Sequence, residues 1–376
     1  MKTIFVQKKR KPIFSIVILV LSFLLIYINI TLSKFPKIID KFYSNGCNKF
    51  LRENLNKTTS ILPFSLAEIL ILVFFIFLII QIIRFIKSLI SKDDENKKPF
   101  QIFKTTALTL IIIYSFFLVF WGFNYNKSDI LDGLTDDTVL PTYKNSDLIN
   151  LCESLISDAN HLREHLNEDD NKVFESKKTL SELSLDLKKG YKNISNEFPF
   201  LDGFYANPKK AISSELMSYM GISGFYFPYT GEININMNNS DFMIPSTLAH
   251  EIAHQKGIAK EDEANFLAYL TCINHPEDEI KYSGIMLALI HSMNELYEQD
   301  KESYIKLVDK YSLKVSTDLK SHYELWSSYS GPLDDLFTKY NNLFLASNGQ
   351  SEGVKSYSKM VDLVIKYKKI KKNESN

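Results

Sequence analysis

Three long apolar runs in the first third of the chain limit what it can fold into. They read "FSIVILVLSFLLIYINITL" from Phe14, "FSLAEILILVFFIFLIIQII" from Phe64 and "ALTLIIIYSFFLVFWGF" from Ala107. A helix needs about 20 apolar residues to cross a bilayer. The runs therefore predict an α-helical membrane anchor, residues 1–124, with transmembrane helices near 14–33, 64–84 and 105–123. Trp121 is expected at the membrane–water interface. A cleaved signal peptide would carry an apolar core of roughly 7–15 residues and a small-residue cleavage site. The first run is longer and "TLSKFPK" offers no such site, so it reads as a retained anchor.

Basic residues set the expected orientation. Lys8, Lys9, Arg10 and Lys11 precede the first run; Arg84, Lys87, Lys92, Lys97 and Lys98 separate the second from the third. Both segments belong inside by the positive-inside rule. The loop after the first run is also basic (Lys34, Lys37, Lys41, Lys49, Arg52, Lys57), but the two inside segments together outweigh it. The expectation is a multi-pass cell-membrane protein with a cytoplasmic N-terminus and an extracytoplasmic domain over residues 125–376. Forty-four basic residues balance 44 acidic ones, so no bulk attraction to nucleic acid is expected. Cys47, Cys152 and Cys272 form no CxxC pair and no disulfide framework. No organic cofactor is indicated.

Within the domain, Asn145 to Ser195 has helical periodicity. "GISGFYFPYTGEININMN", Gly221 to Asn238, reads as a short hairpin or edge strand, broken by Pro228 and a Thr-Gly turn. Such a strand can pair with an extended peptide through its main chain. Helices are expected again over Tyr282–Gln299, Lys301–Leu319 and about Val354–Lys368, followed by a frayed basic tail.

The chemistry concentrates in "STLAHEIAHQKGIAKEDEANF", Ser246 to Phe266. His250 and His254 are four apart, so on a helix their imidazoles share a face and can reach one ion. Glu251 follows the first histidine and can face the same cleft as a base for bound water. Thr247, Leu248, Ala249, Ile252 and Ala253 are uncharged, so the helix is expected to be buried, and buried histidines and carboxylates need partners. Pro245 and Ser246 suit the helix start and Gly257 its end. A tight turn then leads to a second helix, "KEDEANFLAYLTC", which offers Glu261, Asp262 and Glu263 as a third ligand. Lys256 departs from the apolar residue usual at its position in zinc-peptidase helices.

HExxH followed by ExxAN resembles the gluzincins, zinc peptidases with two histidine ligands and one glutamate. Matched residue by residue, the resemblance implies a mainly α, α+β zincin-like metallopeptidase domain with a small edge-strand element. It also implies Zn(2+) held by His250, His254 and Glu261, with Glu263 the alternative third ligand. Glu251 becomes the general base, and Asn265 the residue that holds the far nitrogen of a histidine. Over nearly its full length the chain also resembles an uncharacterised bacterial membrane family, domain of unknown function 3810. That resemblance rests on "GFYFPYTGE", "HEIAHQKGIAKEDEANF" and "NGQSEGVKSYSKMVDLV", and it implies no particular substrate.

Other histidines read differently. "HLREH", His161 to His165, fits an inverted zinc signature, but its surroundings are polar on nearly every face and it reads as a solvated helix. His275 is expected at the surface. His291, on an apolar helix, and Tyr357 are candidates for stabilising an oxyanion. The function expected is a membrane-anchored zinc metallopeptidase acting on peptide or protein outside the cytoplasm. The alternative is a non-hydrolytic zincin-fold binding or sensing protein. A transporter is disfavoured, because Glu68 is the one acidic residue within the apolar runs. An intramembrane protease is disfavoured because HExxH lies far from any span along the chain.

Overall fold

The computed structural model describes residues 13–90, 99–132, 134 and 143–374. Lys8, Lys9, Arg10, Lys11, Lys92, Lys97 and Lys98, which set the expected orientation, lie outside these. The described chain begins with α1 (Ile13–Leu32) and passes through a π-helical segment at Ile39–Cys47 into α2 (Asn48–Thr59). It continues through α3 (Leu66–Ile90) and α4 (Pro99–Phe120). Helices α1, α3 and α4 are long and apolar enough to cross a membrane, and only 6% of each apolar window is buried inside the protein. An apolar helix surface left so uncovered is suited to a membrane. α4 packs on both α1 and α3, and Ser22 and Ser115 share a 2.8 Å hydroxyl hydrogen bond between α1 and α4.

The third span closes three residues earlier than its sequence suggests. At Trp121 the backbone leaves the helix (φ −145°, ψ −50°) and enters a 3-10 turn at Gly122–Asn126. Trp121 is thereby turned into the protein, only 6% exposed, rather than out to the membrane interface.

The segment between α1 and α3 is not a free loop. Asn48 of α2 donates to the Phe120 carbonyl (2.7 Å) at the end of α4, and the Thr59 hydroxyl donates to the Thr230 carbonyl (3.0 Å). At the start of α3, the amides of Leu66 and Ala67 donate to the Glu232 carboxylate at 3.1 and 2.7 Å. Glu68 in turn accepts from the amides of Ile212 and Ser213. A carboxylate at a helix N-terminus satisfies amides that have no helical partner and complements the dipole.

The remaining chain forms α5 (Asn145–Arg163), α6 (Leu180–Ile194), β1 (Lys209–Lys210), α7 (Ser214–Tyr219), β2 (Gly224–Phe227) and β3 (Glu232–Ile235). Then follow α8 (Ile244–Gln255), α9 (Glu261–Ile273), α10 (Asp278–Gln299), α11 (Lys301–Val308), α12 (Leu313–Tyr329), α13 (Pro332–Ser347) and α14 (Met360–Glu374). One apolar core runs through α5, α6, α8, α9, α10 and α14. The expected hairpin is present: β2 pairs antiparallel with β3, Gly224 opposite Ile235 and Phe227 opposite Glu232. β1 adds to the far side of β3, so β2 is an edge strand in the order β1-β3-β2.

Two helical expectations are corrected and one helix is added. The expected helix Lys301–Leu319 is broken, because Ser312 caps a new helix by accepting from the Val315 amide. α13 had not been anticipated. The C-terminal basic stretch stays helical to Glu374 and is tied down by Lys371–Glu197 at 2.9 Å, instead of fraying.

Candidate metal centre

α8 begins with Pro245 in its first turn, where the missing amide costs nothing. It ends at a left-handed Gly257, φ +87°. The Ile258 amide bonds back to the Ala253 carbonyl and the Gly257 amide to that of His254, a Schellman turn that redirects the chain into α9. A side chain at 257 would be strained and would meet the buried Arg52 guanidinium at 2.5 Å. This turn sets α9 against α8.

The result brings His250, His254 and Glu261 together. The imidazole centroids are 4.5 Å apart and nearly perpendicular, at 87°. Glu261 Oε2 lies 3.1 Å from His250 Nε2 and 3.3 Å from His254 Nε2. The far side of each ring is committed. His254 Nδ1 is 2.7 Å from the Ile258 carbonyl, which can only accept, so Nδ1 carries the proton and donates. His250 Nδ1 is 2.7 Å from Asn265 Oδ1, and Asn265 Nδ2 donates to the Tyr357 carbonyl (3.3 Å), which orients the amide. With both Nδ1 atoms committed, Nε2 is the nitrogen that each ring turns toward the carboxylate.

Three acceptors converging at this distance repel unless a cation lies among them. Glu261 Oε2 is buried without a well-directed hydrogen bond, although both nitrogens are near. Two imidazoles and one carboxylate whose ligand atoms all lie within 4.8 Å of one another form a donor set that fits a tetrahedral divalent cation with one position open. Protons respond to the same field. Burial lowers the basicity of His254, but the charge of Glu261 outweighs it and pushes the pKa up to about 9. Burial raises the Glu261 pKa, yet the two imidazoles more than reverse that and hold it well below the usual carboxylate range.

Glu251 lies beside this set, buried, with Oε2 unpartnered. Burial raises its pKa against the lowering effect of both histidines. β2 passes over it so closely that a Cβ at Gly224 would lie 3.0 Å from Glu251 Oε1. The His291 imidazole is kept neutral, its pKa lowered to about 4 by burial and by His250. Tyr357 stacks near His250, with centroids 6.2 Å apart and planes 20° apart. Its pKa is raised well above the ordinary value by burial, then by Glu261. His250, Glu251, His291, Asn265 and Tyr357 line one cavity of about 360 Å³. Glu263 is turned away: Oε1 accepts from the Ile130 amide (3.1 Å) and from Lys260 (3.2 Å), and burial raises its pKa to about 7.

Several residues at the site escaped the sequence. Tyr125, in the turn after α4, lies beside Glu261, and burial followed by that charge raises its pKa. Trp121 meets His254 edge-on, centroids 5.8 Å apart. Asn341 of α13 lines both cavities around the histidines together with Tyr357. Only the glycine ahead of "FYF" carried a signal, since a glycine opening a strand marks a close approach. Although HExxH is far from the spans along the chain, Trp121 places it against the end of α4.

The other candidates separate cleanly. His161 and His165 are exposed, and the buried residue of "HLREH" is Arg163, whose Nε donates to Asp318 at 2.7 Å. His275 is buried, 1% exposed, instead of at the surface, because its loop folds back so that Nδ1 accepts from the Glu277 amide. It forms a second acidic group with Asp186 and Glu277, but the Lys178 ammonium already pairs with both carboxylates.

No curated protein and no solved structure matches the chain. A model of the family described as Protein of unknown function (DUF3810) matches residues 43–365, from the π-helical segment through α2, both later spans, the sheet and the whole histidine–glutamate cluster. On that coverage the chain belongs to the DUF3810 family.

Proposed function

We propose that this protein is a membrane-anchored, zincin-like zinc metallopeptidase that hydrolyses peptide bonds, with His250, His254 and Glu261 holding Zn(2+) and Glu251 as general base. The observation that carries the reading is the combination of three converged ligand atoms with a second buried carboxylate, Glu251, whose Oε2 has no partner. A site that only held metal would have no use for a buried carboxylate with one oxygen left unpartnered, which costs free energy to bury. Zinc bound there supplies a Lewis acid to polarise the scissile carbonyl and acidify a water. Glu251 takes the proton of the attacking water at Oε2 and returns it to the leaving amine. An extended peptide lies along the free edge of β2, bonding main chain to main chain. His291 and Tyr357, which line the same cavity, and Tyr125, near Glu261, are the candidate donors to the oxyanion. Asn265 and the Ile258 carbonyl hold the imidazoles in the ligating tautomer.

Glu251→Gln in the full chain is expected to keep stoichiometric zinc and lose hydrolysis by about 10²–10⁴-fold, the usual range for a general base. Metal analysis and mass-spectrometric detection of cleavage in a peptide library test both at once. Equal zinc with no cleavage by wild type would instead favour the non-hydrolytic binding or sensing reading.

The domain is placed outside the cytoplasm by the positive-inside rule. In a Cys47→Ser background, Leu185→Cys on the exposed face of α6 should react with a membrane-impermeant maleimide in intact cells. Labelling only after permeabilisation would reverse the orientation.

A further inference from the structure

α13 carries two faces. Phe337, Asn341 and Phe344 line the cavities around the histidines. Leu333, Leu336, Tyr340 and Leu343 recur at i, i+3, i+7 and i+10, one continuous stripe, and point outward; Leu336, Tyr340 and Leu343 are 64%, 60% and 73% exposed. A soluble helix does not normally present such a stripe to water.

What covers it follows from the neighbouring helix. Phe344 packs edge-on against Phe117, one turn inside the end of α4, with centroids 5.9 Å apart. Beside it the loop between β2 and β3 descends along the same span. The Tyr229 hydroxyl donates to the Ile113 carbonyl at 3.0 Å, and its ring meets Phe120. Ile113 lies seven residues before the end of α4, about 10 Å along the helix axis. The face of α13 that adjoins the stripe is therefore packed against an apolar helix long enough to cross a membrane.

The candidate metal centre opens in the same direction. A cavity of about 250 Å³ runs from Phe117 of the span, past Trp121, Phe225 and Phe344, to His250 and Glu251. The 360 Å³ cavity reaches the same two residues from the side of Met220, Ser223 and Asp334, and Gly224 of β2 lines both. A chain laid on β2 would extend from the span-lined arm to the other.

We infer that α13 lies in the interfacial layer of the bilayer beside α4, and that the substrate is an extended polypeptide segment joined to an apolar anchor in the same leaflet. The substrate half rests on the peptidase reading; the membrane half does not. Electron paramagnetic resonance on the full chain, with Cys47→Ser and reconstituted in phosphatidylcholine/phosphatidylglycerol vesicles, tests the second. Nitroxides at Leu336→Cys and Leu343→Cys should favour collision with oxygen over a water-soluble nickel chelate, the reverse of Glu302→Cys, an exposed charged position on α11. Nickel accessibility matching that of Glu302→Cys overturns the placement. Poor access to both reagents overturns it too, because protein would then cover the stripe.

The same vesicles, given mixed-sequence decapeptides either free or carried on a transmembrane helix or a palmitoyl chain, test the first half. The anchored forms should be cleaved at least about tenfold faster, since anchoring raises the local concentration at a membrane-level entrance. Either anchored form alone being preferred identifies the anchor. Equal rates for free and anchored peptides overturn the anchored substrate while leaving the peptidase. No cleavage of any form overturns the peptidase reading, and the spin-label result still decides where α13 lies.

Discussion

The convergence of His250 with His254 was legible from spacing because residues four apart on a helix share a face. Asn265 was legible only through resemblance, and its geometry now gives it a measurable task. It accepts from His250 Nδ1 and is itself oriented by donating to the Tyr357 carbonyl. Asn265→Ala leaves the three ligand atoms in place but frees the ring to rotate and to change tautomer. Loss of such a partner typically weakens metal affinity about 10–100-fold. Competition with a chelator should show that loss in the full chain, with a far-ultraviolet dichroism spectrum unchanged from wild type. Unchanged affinity would mean that packing alone, with Tyr357 stacked on the ring, orients His250. Tyr125 and Trp121 had no comparable signal. An aromatic after a span reads as an interfacial anchor, and only the turn at Gly122–Asn126 directs both inward.

At the scale of elements, the spans, the hairpin and the α8–α9 pair declared themselves through hydropathy, Gly–Pro punctuation and caps. α2 and α13 did not, for different reasons. The buried positions of α2 are Asn48, Arg52, Asn56 and Thr59, all polar, so a search for an apolar face reads the helix as a basic loop. α13 has apolar residues on two faces, which blurs its period. α12 supports the entry to α8 through His322, whose imidazole bonds the Ser240 hydroxyl (2.8 Å) and packs on Phe242, with centroids 5.4 Å apart. Burial lowers the His322 pKa to about 4. An unfolded histidine titrates near 6.5, so between those values the unfolded chain binds more protons and acid destabilises the fold. The contribution is complete above about pH 6.5 and is lost as pH falls toward about 4. Melting temperatures of the detergent-solubilised protein should drop across that window, and His322→Gln should flatten the slope. An equal slope in the variant would assign the acid sensitivity elsewhere.

For the whole molecule, a division into anchor and soluble domain is natural from hydropathy, yet the contacts between the two parts are charged, buried and reciprocal. Lys209 is buried against Glu232, donating also to the carbonyls of Thr59 (3.0 Å) and Phe64 (2.7 Å). Glu232 takes the first amides of α3, and Glu68 of α3 takes amides from the start of α7. Arg52 reaches under the end of α8, donating to the Ser44 carbonyl and Asn48. Cutting the chain at residue 125 removes every one of these partners on one side. It strands a buried lysine and a buried glutamate with each other and little else, and stranding buried charge costs several kcal/mol. It also strips Trp121 and the end of α4 from the side of His254. Residues 125–376 expressed alone are therefore expected to lack a cooperative melt and to bind far less than one zinc per chain. The full chain in detergent should melt cooperatively and bind one. Differential scanning calorimetry beside metal analysis of the two proteins decides it. A truncated protein that melts cooperatively with a full complement of zinc would show that the metal centre is held by α8 and α9 alone, and that the membrane part only tethers it.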